Sequence, residues 1–163
     1  MLRPPVAYAA DVLPDKFSAS IRGADGMHLL LHGKFDEAEP LLSTLRQNEL
    51  GGANIPAADL IALPLNGMKL AVLSACESGR IGTRISNEIY GFPWALMAGG
   101  VETVVLSRWL VNGDSNSKWM QSFYEAAAGG ASPAAAAARA ARDMRRSGVR
   151  NPYYWAAMQV SRS

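Results

Sequence analysis

Cysteine is almost absent from this chain: there is one in 163 residues. A single thiol excludes an internal disulfide, suits a reducing compartment and leaves Cys76 as an isolated candidate for chemistry. Charge is also scarce, at 18% of residues against 49% hydrophobic, which excludes a disordered chain for most of the length. The net charge of +2 is too small to argue for nucleic acid as a partner. No G-x-x-x-x-G-K-S/T phosphate loop and no G-x-S-x-G nucleophile elbow occurs. No segment approaches the roughly 20 apolar residues of a membrane span. Met1 to Leu13 lacks the apolar core of a signal peptide. The expectation is a cytoplasmic protein with no membrane partner. At roughly 150 residues per domain, the length predicts a single domain over residues 1–163.

What the chain does have is short apolar runs separated by helical stretches. Met27–Leu31, Lys69–Ser74, Glu102–Ser107 and Tyr153–Val160 read as strands, the first three with the continuous apolar character of strands covered on both faces. A weaker strand candidate is Val6–Val12. Asn87 caps a predicted helix over Glu88–Met97, stopped by Gly99-Gly100. Ser115 or Ser117 opens another, which runs to Ala128. Ser132-Pro133 opens a third, an Ala-rich helix that Gly148 can end. A shorter helix covers Pro56 to Leu63. This order predicts an α/β domain with a mainly parallel sheet. The tail from Ser132 to Ser163 has six Arg against one Asp, a net +5, which leaves −3 of the total of +2 for residues 1–131. That pattern reads as a solvated basic helix face.

In such sheets functional groups gather beyond the C-terminal ends of the strands. The run MHLLL leads into His32-Gly33, and KLAVLS leads into Ala75-Cys76-Glu77. Cys76 is the natural nucleophile and His32 its partner, a pairing suited to acyl transfer. The unobstructed N–H of Gly33 and the N–H of Cys76 can form an oxyanion hole. The plainer reading stays open: Cys76 as a small buried hydrophobe and His32 as a loop histidine. His28 and His32 have H-x-x-x-H spacing, but on one strand that places them about 13 Å apart, too far to share a metal ion. No metal site is expected, and His28 reads as a hydrogen-bonded core residue. Trp94 and Met97, at helical spacing, read as core.

Taken together, LLLHGKFD, PLLS, LAVLSACESG, GFPWALMAGGVETVVLSRWLV, Asp114, SKWMQSFYEAAAGG and NPYYWAAMQV resemble the CHAT peptidase family over about residues 24 to 160. These are caspase-like domains often joined to tetratricopeptide repeats. The resemblance implies a caspase-like three-layer sandwich with a mainly parallel sheet. It implies a cysteine endopeptidase with catalytic His32 and Cys76, Gly33 at the oxyanion position, no required third dyad partner and no cofactor. The implied partner is a protein or peptide substrate, with an upstream repeat domain or partner chain as a further one.

Ser78 stands where Thr is usual, and Arg108 where an uncharged residue is commoner. Only 31 residues precede His32, so the expectation is a domain lacking N-terminal strands, either minimal or N-terminally truncated. That shortness keeps an alternative in play, a catalytically inactive interaction module or a fragment of a larger repeat-containing protein. By the same resemblance, the loop from Ser107 through Trp109 to Asp114 lines the substrate pocket, with Glu77 beside the nucleophile. Glu77 and Asp114 favour a basic or uncharged residue before the cut, whereas Arg108 favours an acidic one. Asp114 can instead cap the helix that follows.

Overall fold

The two most apolar runs form the middle of the molecule. Leu70–Ser74 (β5) and Thr103–Ser107 (β8) are buried at every position and pair in parallel. The computed structural model describes residues 18, 19, 21–46, 54–75, 82, 83 and 89–163. Gly26–Leu30 (β1) lies parallel to β5 on one side, and Met158–Arg162 (β9) lies antiparallel to β8 on the other, giving the order β1-β5-β8-β9. The central sheet is therefore mainly parallel, as the sequence predicts. Val6–Val12 lies outside the described residues.

Side chains alternate between the faces of the sheet, so each face packs its own helices. Ala71, Leu73, Val104 and Leu106 pack with Ala57–Ile61 (α1) and Phe92–Ala98 (α2). Trp94 and Met97 of α2 join this cluster as partly buried core residues. Leu70, Val72 and Val105 pack with Gly113–Ala128 (α3) and Pro133–Arg146 (α4). Trp119 and Phe123 stack in that second cluster with centroids 5.3 Å apart, and truncating a fully buried ring such as Phe123 to Ala costs about 3–5 kcal/mol. The result is a three-layer α/β sandwich.

The helix signals of the Ala-rich segment hold. Ser132 Oγ accepts from Ala135 N–H at 3.3 Å, and Pro133 opens α4. Gly148 closes it at φ +94° in a Schellman turn, with Val149 N–H bonded to Met144 O and Gly148 N–H to Arg145 O. Gly99-Gly100 stops α2. Gly100 has φ +106°, and a Cβ there would meet Asn66 at 2.5 Å, so only glycine fits.

Four expectations need correction. The helix drawn over Glu88–Met97 starts only at Phe92, because Ile89–Tyr90 (β7) pairs with Gly82–Thr83 (β6). Pro93 explains this: its ring tolerates the first helical turn but clashes with a helical carbonyl four residues earlier. Asn87 and Glu88 lie outside the described residues. Tyr153–Val160 is not one strand. Asn151 Oδ1 accepts from Tyr153 N–H at 3.0 Å, Pro152 follows the cap, and Pro152–Trp155 forms a short helix (α5) before β9. The strand expected to carry both His28 and His32 is also not continuous. It breaks at Leu31, after which His32–Lys34 (β2) joins a separate antiparallel sheet with Thr44–Arg46 (β3) and Asn54–Pro56 (β4). Lastly, α3 begins at Gly113. Its cap is Asn112, whose Oδ1 accepts from Ser115 N–H at 3.0 Å, rather than Ser115, Ser117 or Asp114.

Candidate active site

The parallel pairing of β1 and β5 sets the geometry of the site. Leu30 stands opposite Ser74, and Leu31 N–H extends the ladder by bonding Ser74 O at 3.4 Å. His32 follows Leu30 by two residues, and Cys76 follows Ser74 by two. Both chains thus leave the same end of neighbouring strands, about 4.8 Å apart. Cys76 and Glu77 themselves lie outside the described residues.

After Leu31 the chain turns into β2, where His32 pairs with Arg46 and Gly33 with Leu45. His32 is exposed and Gly33 half-buried. The anchor of this small sheet is Leu45, fully buried in the α1–α2 core. The loop leaving β2 is pinned as well. Ser43 Oγ accepts from Asp36 N–H at 3.0 Å, and Asp36 Oδ1 accepts from the N–H groups of Ala38 and Glu39 at 3.0 and 2.9 Å. Ser43 O accepts from Ala57 N–H at 2.8 Å, tying this loop to the start of α1. The surface that presents His32 is therefore held by backbone pairing and by the side-chain acceptors Ser43 and Asp36.

The end of β5 is gripped from both sides. His28 Nε2 lies 2.8 Å from Ser74 Oγ, and its Nδ1 lies 3.0 Å from the Tyr124 hydroxyl. Desolvation lowers the pKa of His28 and raises that of Tyr124 to about 12, while both side chains keep contact with solvent. A neutral imidazole has one donor and one acceptor nitrogen, which matches its two hydroxyl partners. On the other flank, the hydroxyl of Ser107 donates to Ala75 O. Ser107 is fully buried, so its hydroxyl is turned to the strand end rather than to the surface of a pocket.

The loop after β8 is fastened to the approach to β9. Trp109 Nε1 donates to Tyr153 O at 3.0 Å, and the two rings stack with centroids 6.1 Å apart. Tyr153 Oη donates to Leu110 O at 2.5 Å, and Arg108 N–H donates to Ala157 O at 2.7 Å. Trp109 is half-buried, whereas Arg108 and Asp114 are exposed, Asp114 in the first turn of α3. Beside this loop is a shallow surface depression lined by residues including Val111, Asn112, Trp119 and Tyr154. Tyr124 and Tyr153 were not anticipated as parts of this region. Ser107, Arg108, Trp109 and Asp114 are the residues of this region that carry a signal in the sequence.

Among the described residues, no group of three His, Cys, Asp or Glu side chains is arranged to hold a metal ion, and no helix is long and apolar enough to cross a membrane. Of the sequence-predicted residues, the fold brings His32 and Gly33 to the end of β1 next to the exit of β5. It gathers Ser107, Trp109 and Asp114 in and after the last residue of β8. No curated protein matches the chain. The family profile described as the CHAT domain matches residues 5–163, nearly the whole length, and the three-layer sandwich with its mainly parallel sheet agrees with a caspase-like fold. The chain belongs to the CHAT domain family.

Proposed function

We propose that this domain is a cysteine endopeptidase whose dyad is His32 and Cys76. The observation that carries the reading is the register of β1 against β5, from which each residue follows two positions beyond a paired end. The family match supports the same assignment. In the proposed mechanism His32 takes the proton of the Cys76 thiol, and the thiolate attacks the scissile carbonyl carbon. The tetrahedral oxyanion is held by the N–H groups of Gly33 and Cys76. Collapse breaks the C–N bond, His32 protonates the departing amine, and a thioester remains on Cys76. His32 then deprotonates a water molecule, which attacks the thioester, releases the acid and restores the thiol. The substrate is a protein or peptide chain and no cofactor takes part. The compartment we assign is the reducing cytoplasm, where the thiol stays available.

Covalent labelling with a peptidyl electrophile tests the reading. Because the chain has one cysteine, any thiol adduct reports on Cys76. We expect a single adduct in the native protein, none in Cys76→Ala, and a rate about 100-fold lower in His32→Ala, in line with loss of a general base. Labelling no faster than that of free cysteine, and indifferent to His32, would refute the dyad.

A further inference from the structure

Polar side chains are few in this core. Among the described residues the buried ones are Ser43, Ser74, Thr103 and Ser107. Ser107 is the last residue of β8, and its hydroxyl donates to Ala75 O, one peptide bond before Cys76. An alanine would fill nearly the same space there without needing a partner, so the hydroxyl calls for an explanation beyond packing.

The explanation lies in the peptide unit it holds. Ala75 C=O and Cys76 N–H belong to one planar amide, and in a trans unit the two groups point in opposite directions. Fixing the carbonyl therefore fixes the direction of the Cys76 N–H. A hydrogen bond to the carbonyl also polarises the amide and makes its N–H a better donor. On the far side of β5, His28 holds Ser74 Oγ at 2.8 Å, so the strand cannot rotate freely where this amide begins.

We propose that Ser107 is a positioning residue for the oxyanion hole: through Ala75 O it orients and polarises the peptide unit whose N–H, that of Cys76, receives the developing negative charge. This rests on the Cys76–His32 reading above, and it moves Ser107 from the pocket wall to a place behind the nucleophile.

Two reactions of the same thiol separate this role from a structural one. Acylation by p-nitrophenyl acetate passes through a tetrahedral oxyanion. Alkylation by iodoacetamide is a direct displacement at carbon and forms none. With the full chain, Ser107→Ala should acylate about 10- to 100-fold more slowly than wild type, somewhat less than the loss of a whole oxyanion donor. Its alkylation rate at the same pH should stay within about 2-fold, since thiol activation is untouched. Ser107→Thr, which keeps the hydroxyl, should restore acylation in proportion to its native fold, read from its melting curve. Equal losses in both reactions, or unchanged acylation in a folded Ser107→Ala, would overturn the proposal while leaving the dyad intact. A wild type whose reactions with both reagents ignore His32→Ala would overturn the dyad and this proposal with it.

Discussion

His28 shows how one side chain ties together the strands that lead to the site. It sits on β1, bonds Ser74 near the end of β5, and takes its second partner, Tyr124, from α3. Its pKa is lowered by desolvation, so between its folded value and the ordinary 6.5 the unfolded chain binds more protons than the native one. Stability therefore rises with pH across that window and levels off above it. We expect a melting temperature that falls on acidification below about pH 6.5, with a shallower fall in His28→Gln, whose amide can still donate to Ser74 but does not titrate. Thermal melts from pH 7.5 to 5 would check this, and an equal slope in both proteins would contradict it. The sequence marks His28 as a hydrogen-bonded core residue; the hydrogen bonds are there, but the side chain is exposed rather than in the core. Its partners were not legible, because they lie 46 and 96 positions away and pattern reading sees only near neighbours. Ser107 was legible as part of the site, but only the fold shows that its hydroxyl points inward.

The elements that sequence reasoning located best are those whose signal is local. β5 and β8 are apolar throughout because both faces are covered, and α4 is bracketed by Ser132-Pro133 and Gly148. The errors fall where a local signal competes with another. Tyr153, Tyr154 and Trp155 favour strands, but Asn151-Pro152 opens a helix ahead of them. The turn of the chain at Leu31 could not be read locally, since β2 exists only through pairing with three residues of β3. Helix stops are more dependable, and Gly100 is the sharpest of them. Gly100→Ala combines a positive φ with a Cβ contact against Asn66. It should destabilise the domain by about 1–3 kcal/mol, the cost of a strained backbone position. Gly130→Ala is the control, since it shares a positive φ but has nothing within 4 Å, and chemical denaturation should show it as the milder change.

At the scale of the whole molecule, a four-stranded sheet is covered by a helical layer on each face, and a separate three-stranded sheet follows the end of β1. The basic surface of α4 belongs to one of these layers. Arg139 and Arg146 flank Asp143, whose carboxyl is held below its usual range first by the Ser122 hydroxyl and then by these arginines, while Arg145 lies 5.1 Å from the Trp155 ring centroid. Under the proposed function, the parallel strands β1 and β5 lead to a histidine and a cysteine that act as a dyad. A crystal structure of the chain after reaction with a peptidyl electrophile tests it most directly. The account predicts an adduct on Cys76 Sγ, a His32 ring nitrogen about 3–4 Å from the sulfur or the leaving position, and the adduct oxygen facing the N–H groups of Gly33 and Cys76. An adduct whose sulfur lies beyond the reach of His32, with its oxygen directed away from both N–H groups, would contradict it.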